Sequence, residues 1–461
     1  MSDYKVTNPA TGAVEKEYPT ATDAELASVL DRSDAAFKTW RTTSLLERSK
    51  VLARVAELYR ERADELAAII TREMGKRLIE AKGETSIATA IYKYYADEGP
   101  GFMEDQPLNP RSGVTAWIRK DPIGPLLGIM PWNFPYYQVA RFAAPNLMIG
   151  NTIILKHAPQ CPESALAMER IFRDAGLPED AYINVFATND QAAAIIADPR
   201  VGGVSVTGSE RAGAAVAEVA GRNLKKAVLE LGGSDAFIVL DTADIAATVA
   251  QATRQRMGNA GQACNAAKRF IVADGIYDEF VEKFTATMSA LTPGDPTDPA
   301  SDFGPLSSEA AAANLIGQIE DAVTKGATLH TGGRRVDRDG AFVEATVLTG
   351  VTPGMRAFSE ELFGPAAVVY RVSGVDDAVE LANSSSYGLG GSIVSQDLDL
   401  ALAVAERLDT GMIAINGASY GGVDMPFGGT KRSGIGRELG SFGMEEFVNK
   451  KLVARPKQTT G

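Results

Sequence analysis

Two side chains of this sequence could make and break bonds to carbon. Cys264 lies in the glycine-led polar turn Gly261-Gln262-Ala263-Cys264-Asn265 and is one of 2 cysteines in 461 residues. So few thiols leave no disulfide framework and no cysteine metal cluster. The thiol is then either a nucleophile or the small buried hydrophobe that most free cysteines are. Upstream, Glu230 stands in the apolar run Ala227-Val228-Leu229-Glu230-Leu231, followed by Gly232-Gly233. A carboxylate drawn into such a run is a candidate general base, because burial raises its pKa toward neutrality. Histidine offers little competition for that role. The chain has 2, His157 and His330, so neither a Cys–His pair nor a histidine-rich metal site has much to draw on.

Three loops could hold a reactant near these groups. Pro131-Trp132-Asn133-Phe134-Pro135 is stiffened by two prolines, and Asn133 could present an amide N–H to a developing oxyanion. A rigid turn with a capping Asn reads equally well. Asn151-Thr152-Ile153-Ile154-Leu155-Lys156-His157-Ala158-Pro159 ends a buried run on a lysine. Ligands of open α/β sheets sit beyond the carboxyl ends of strands, where Lys156 could grip ribose hydroxyls or a 2′-phosphate. A solvated lysine at a strand end is the plainer reading, and His157 reads as structural. Val204-Ser205-Val206-Thr207-Gly208-Ser209-Glu210-Arg211-Ala212-Gly213 is a strand, a glycine turn and a helix start that would favour a phosphate. It lacks both GxGxxG and the Lys-Ser/Thr of a P-loop, so a plain strand-to-helix turn fits as well. Glu360–Pro365 and Pro426–Gly434 are Gly/Pro turns carrying a charge or an aromatic ring.

These residues need elements to carry them. Residues 1–20 read as extended, with a turn at Asn8-Pro9-Ala10-Thr11-Gly12. Thr22-Asp23-Ala24-Glu25 is a capping box opening a helix to about Trp40. Apolar spacing predicts helices over 44–72 and 75–98, and 107–122 alternates as a hairpin does. From 124 to 240, short apolar runs (125–130, 152–155, 181–185, 203–207 and 227–231) alternate with helices at 161–175, 190–198 and 210–222. That is the mark of parallel βαβ units. A second alternating region spans about 234–420. Its strands lie near 236–240, 268–273, 366–371 and 412–415, with helices near 244–258, 276–291, 307–325, 375–384 and 397–408. The tail after 448, Lys450-Lys451-Leu452-Val453-Ala454, could dock as an edge strand.

A chain of 461 residues exceeds what one core organises, so two or three domains are expected. The net charge of −13 argues against nucleic acid or an anionic membrane as partner. A local basic pocket could still take an anionic small molecule. Met1-Ser2-Asp3-Tyr4-Lys5-Val6 has no apolar h-region, and no run of about eighteen apolar residues is long enough to cross a membrane. With two free cysteines, that fits a reducing cytoplasm.

Seven segments stand in one order: PWNFP (131–135), LKHAP (155–159), VTGSERAG (206–213), LELGG (229–233), GQAC (261–264), ELFGP (361–365) and PFGGTKRSG (426–434). In order and spacing the chain resembles the NAD(P)-dependent aldehyde dehydrogenase superfamily from end to end. Lys156-His157-Ala158-Pro159 and the run Asn265-Ala266-Ala267-Lys268-Arg269 after the cysteine look most like its short succinate-semialdehyde dehydrogenase (NADP+) branch.

The resemblance implies an α/β fold of the aldehyde dehydrogenase type. A Rossmann-type dinucleotide-binding domain would comprise 1–104 and 123–232, an α/β catalytic domain 233–434, and a small β bridging element 105–122 and 448–461. That element pairs subunits, so a homodimer or homotetramer is expected. By the same resemblance Cys264 is the nucleophile, Asn133 and the Cys264 N–H form the oxyanion site, and Glu230 activates the water that hydrolyses a thioester. Trp132, Asn133, Lys156, His157, Ala158, Pro159, Gly208, Ser209, Leu231, Glu361 and Phe363 would form the cofactor site. Arg141 and Phe427 would face the substrate, Arg141 taking a distal carboxylate. No metal is implied. Pro159 stands where NAD-preferring relatives often carry a glutamate that repels a 2′-phosphate, which favours NADP over NAD.

Two positions depart from the semialdehyde pattern. Gly258 replaces a second carboxylate-binding arginine, and Gly421 or Gly422 replaces a serine. Succinate semialdehyde is therefore a branch-level expectation, with glutarate semialdehyde and neutral aliphatic aldehydes as alternatives. A coenzyme-A-acylating relative would usually lack Glu230, and an inactive scaffold would not keep Cys264, Glu230, Asn133 and Lys156 together. No cysteine adjoins Cys264 to shield it by a disulfide.

Overall fold

Thr22 accepts from Glu25 N–H at 3.3 Å while Glu25 accepts from Thr22 N–H at 2.7 Å, so the expected capping box opens the helix Asp23–Trp40. Ser44 and Glu47 repeat the device for Leu45–Glu61. The single helix expected over 44–72 is two, because Leu45–Glu61 and Ala63–Met74 part at Arg62, with φ −106° and ψ 18°. The apolar period runs on through that break. Gly75, at φ 80°, ends the second piece in the left-handed region, and the next helix is Leu78–Phe102. The computed structural model describes residues 4–111, 113–419 and 421–457. The outermost parts of the expected 1–104 and 448–461 segments, and Ser112 of 105–122, lie outside the described residues.

Five parallel strands form the first sheet, close to where the sequence puts them. Across the sheet they run Lys226–Glu230, Gly203–Thr207, Pro125–Met130, Thr152–His157, Tyr182–Asn184. The short strand Gly434–Ile435 adds antiparallel beside Lys226–Glu230. The chain moves outward from Pro125–Met130 in one direction, then returns and moves outward in the other. The strand order therefore reverses between Pro125–Met130 and Gly203–Thr207, where a doubly wound sheet opens a crevice for a ligand.

The helix Pro135–Ile149 follows the first of these strands, and periodicity gave no sign of it. All of its residues except Tyr137 are buried, so it has no polar face to alternate with an apolar one.

The second sheet has seven strands in the order Thr328–Thr331, Thr346–Thr349, Ala366–Val372, Ala267–Ala273, Asp235–Val239, Gly390–Val394, Met412–Ile415. All neighbours are parallel except the first pair. Thr328–Thr331, Thr346–Thr349 and Gly390–Val394, the sixth of the seven, were not expected, the last because Gly390-Gly391 reads as a turn. A third sheet joins Gln106–Leu108, Val114–Pro122 and Val448–Pro456, all antiparallel, so the expected hairpin and tail strand share one element. Tyr4–Thr7 and Val14–Tyr18 pair antiparallel around the Asn8 turn. No described helix is long and apolar enough to cross a membrane.

Candidate active site

The carboxyl ends of the parallel strands share one edge of the first sheet. The loop Pro131–Phe134 leaves the strand ending at Met130, Lys156 and His157 close the next, Gly208 follows Thr207, and Glu230 ends its own strand. At the strand-order reversal lies a cleft of about 270 Å³, walled by Trp132, Asn133, Gly208, Leu231, Cys264 and Glu361.

The turn carrying Cys264 comes from the other sheet, just before the strand Ala267–Ala273. Asn259, Ala260 and Gly261 all take positive φ, 52°, 54° and 76°, coiling the chain tightly. Gly261 is required there, since a Cβ would sit 2.2 Å from Gly364 O. Gln262 locks the coil by donating from Nε2 to Asn259 O at 3.1 Å and accepting Ser307 N–H at 2.8 Å. The buried Lys268 ammonium then donates to the carbonyls of Ala263 (3.1 Å), Cys264 (2.8 Å) and Ala266 (3.0 Å). It also pairs with Glu361 Oε1 at 3.3 Å. Cys264 is partly open to the cleft and otherwise enclosed. Burial pushes its thiol up to about 12, with the Arg141 and Lys268 charges opposing.

Glu230 is 2% exposed, and neither carboxylate oxygen has a hydrogen-bond partner among the described residues. Burial, then the Glu438 carboxylate, hold its pKa well above the usual carboxylate range, while Arg141 and Arg437 oppose them. Gly428 makes room for it: at φ 150°, a Cβ there would lie 2.6 Å from Glu230 Oε1. A carboxylate whose pKa is raised by burial and a like charge is the stronger proton acceptor when ionised, as a general base requires.

Asn133 reaches the cysteine turn directly, donating from Nδ2 to Gln262 O at 3.1 Å. Its own carbonyl accepts from Lys76 Nζ at 2.8 Å and Asn259 Nδ2 at 3.0 Å. Lys76 is fully buried, pairs with Glu84, and lies 3.6 Å from the Phe134 ring centroid. Glu84 Oε1 accepts Tyr136 N–H at 2.8 Å and Tyr137 N–H at 3.2 Å, placing a carboxylate at the N-terminus of Pro135–Ile149.

Arg141, on that helix, is buried rather than on a surface. Its guanidinium lies between the rings of Phe427 (4.2 Å) and Tyr137 (4.9 Å), with Nε 2.6 Å from Glu438 Oε2. Nη1 and Nη2 have no hydrogen-bond partner among the described residues. Buried N–H groups left without an acceptor are costly, and a carboxylate matches that fork.

The cofactor candidates divide by what their side chains do. Thr207 Oγ1 and Gln138 Oε1 belong to the cleft wall, buried and without partners among the described residues, so an amide-bearing ring such as nicotinamide would satisfy Gln138. Trp132 and Phe363 meet edge to face at 5.6 Å. Gly208 leaves open space where a Cβ would point, and Ser209 caps the helix Glu210–Arg222, as a pyrophosphate needs. Leu231 N–H is tied to Ser433 O at 2.8 Å. Glu361 Oε1 accepts Gly233 N–H at 3.1 Å. Lys156 is 6% exposed, 5.9 Å from the Tyr4 ring centroid. Ala158 is half-buried and Pro159 exposed, the latter accepting Lys5 N–H at 3.0 Å. His157 is neutral, pushed down to about 4 by burial; it donates from Nε2 to Pro135 O at 3.1 Å and accepts Ala158 N–H on Nδ1 at 2.8 Å. Its ring thus braces the Asn133 loop.

Lys268, Gln262, Glu438 and the Lys76–Glu84 pair escaped sequence reasoning. Lys268 heads a strand of buried residues, and a charge in such a strand was the one visible signal.

The aldehyde dehydrogenase family profile matches residues 1–453, and the chain belongs to that family, whose members are NAD(P)-dependent oxidoreductases of aldehydes. It is 56% identical over 450 residues to a succinate-semialdehyde dehydrogenase (NADP+) of Deinococcus radiodurans, covering 98% of this chain and 94% of that one. It is 42% identical to succinate-semialdehyde dehydrogenase (NADP+) 1 of Mycobacterium tuberculosis, covering 97% and 98%. Among solved structures, succinic semialdehyde dehydrogenase from Streptococcus pyogenes in complex with NADP+ superposes with a TM-score of 0.96 at 44% identity, covering 98% and 100%.

Proposed function

We propose that the protein oxidises succinate semialdehyde to succinate with NADP+ as the preferred oxidant. Cys264 loses its thiol proton to water, its Sγ adds to the aldehyde carbon, and the resulting oxyanion is met by Asn133 Nδ2–H and Cys264 N–H. Trp132, Gln138, Thr207 and Phe363 would hold the nicotinamide in the cleft, where it would supply the hydride acceptor. Loss of hydride from the thiohemiacetal leaves an acyl thioester on Sγ. Glu230 then takes a proton from water, the oxygen adds to the thioester carbonyl, and the thiolate departs. Arg141 carries the substrate assignment: its unpartnered Nη1 and Nη2, buried where its charge is felt at Cys264, suit the distal carboxylate. Pro159, three residues after Lys156, puts no glutamate at that position to repel a 2′-phosphate.

The dinucleotide-binding, catalytic and bridging domains follow the divisions 1–104 with 123–232, 233–434, and 105–122 with 448–461. The bridging sheet joins subunits into a homodimer or homotetramer in the cytoplasm. Kinetics with succinate semialdehyde and butanal, each with NADP+ and NAD+, with and without coenzyme A, test the assignment. At least about a tenfold advantage in kcat/KM for the acidic aldehyde and for NADP+, with no thiol requirement, is expected. Equal use of butanal, or a tenfold advantage for NAD+, would overturn it.

A further inference from the structure

A larger cavity, about 640 Å³, abuts the same cysteine turn: Ala263 and Asn265, the neighbours of Cys264, line it together with Phe134. Cys264 itself lines the smaller cleft, so the two cavities meet the turn at adjacent residues. Four charged side chains stand on its wall: Lys76, Glu80, Glu84 and Arg254. Three are already neutralised. Lys76 and Glu84 pair with each other, and Glu80 pairs with Arg77 at 3.1 Å while accepting Asn259 N–H at 2.9 Å.

Arg254 is different. It is exposed on the helix Ile245–Met257, and among the described residues its guanidinium has no ion pair and no hydrogen bond. One turn further along the same face comes Gly258, also on the cavity wall, where nothing lies within 4 Å of the point a Cβ would occupy. One turn back, Gln251 lines the cavity with an amide Nε2 that has no partner among the described residues. This wall thus offers an uncommitted cation, an uncommitted amide donor and open space beside them.

We propose that Arg254 is the outer carboxylate-binding residue of the substrate cavity, drawing in acidic aldehydes that Arg141 then holds at the reacting position. This rests on the reading of the protein as an oxidase of carboxylate-bearing aldehydes and adds a residue outside the buried site. A solvent-exposed cation at a cavity mouth acts mainly on capture, raising the encounter rate with anions and making it salt-dependent.

Steady-state kinetics of Arg254→Gln and Arg254→Lys, with succinate semialdehyde and butanal at low and high salt, test this. For Arg254→Gln, kcat/KM for the acidic aldehyde should fall by about three- to tenfold through KM, its salt dependence should flatten, and butanal should be unaffected. Arg254→Lys, which keeps the charge, should retain most of the preference. An equal loss on butanal, or an unchanged kcat/KM for the acid, would overturn the role of Arg254 alone. A wild-type enzyme indifferent to the carboxylate would overturn the functional reading as well.

Discussion

Cys264 is a reluctant thiolate. Enclosure pushes its pKa up to about 12, and the charges of Arg141 and Lys268 are what restrain the rise. Only a small fraction is ionised at neutral pH, so activation must be local. Removing Arg141 takes away an opposing charge and raises the thiol pKa further. At any fixed pH below about 12 the thiolate fraction then falls, and Arg141→Met should react about three- to tenfold more slowly with iodoacetamide than wild type. Faster alkylation would contradict this electrostatic account. Cys264 and Glu230 were legible in the sequence because each is out of character with its own neighbours. Glu438 and Lys268 were not, since their meaning lies in contacts with Arg141 and with the Cys264 carbonyl, far apart in sequence or folded back upon a turn.

At the scale of elements, the site depends on pieces whose patterns carry no amphipathic signal. Pro135–Ile149 is buried nearly all round and Gly390–Val394 lies inside a sheet, so neither periodicity nor propensity marks them. The amphipathic helix Asp23–Trp40 and buried strands such as Gly203–Thr207, by contrast, were read nearly to their ends, while the exposed strand Thr328–Thr331 was not read. The buried helix is anchored by Glu84 at its N-terminus and by Lys76, which ties Glu84 to the Asn133 carbonyl. Lys76→Met leaves a buried carboxylate without its cation, at a cost of about 3–5 kcal/mol. A lower melting temperature is expected, together with a fall in kcat as Asn133 loses its brace. Pairing the change with Glu84→Gln should recover much of the stability. An unaltered melting temperature for Lys76→Met would show that the pair does not hold the loop.

Across the whole molecule, the first sheet delivers Asn133 and Glu230, and the second delivers the Cys264 turn, so the site exists only where the two meet. The third sheet stands apart: Leu108 and Leu452 are 39% and 62% exposed on strands that flank Val114–Pro122. Exposed leucines on a three-stranded sheet suit a subunit contact. Leu108→Glu with Leu452→Glu should reduce the mass seen by light scattering from two or four chains toward one; an unchanged assembly would remove this sheet from the interface. The central claim is that Cys264 carries the acyl group and that Glu230 is needed to release it. Rapid-mixing kinetics of Glu230→Gln with succinate semialdehyde and NADP+ test it most directly. The account predicts a burst of about one reduced cofactor per subunit, then turnover slower than wild type by about 10²- to 10⁴-fold. Turnover at the wild-type rate, or slow turnover without a burst, would contradict it.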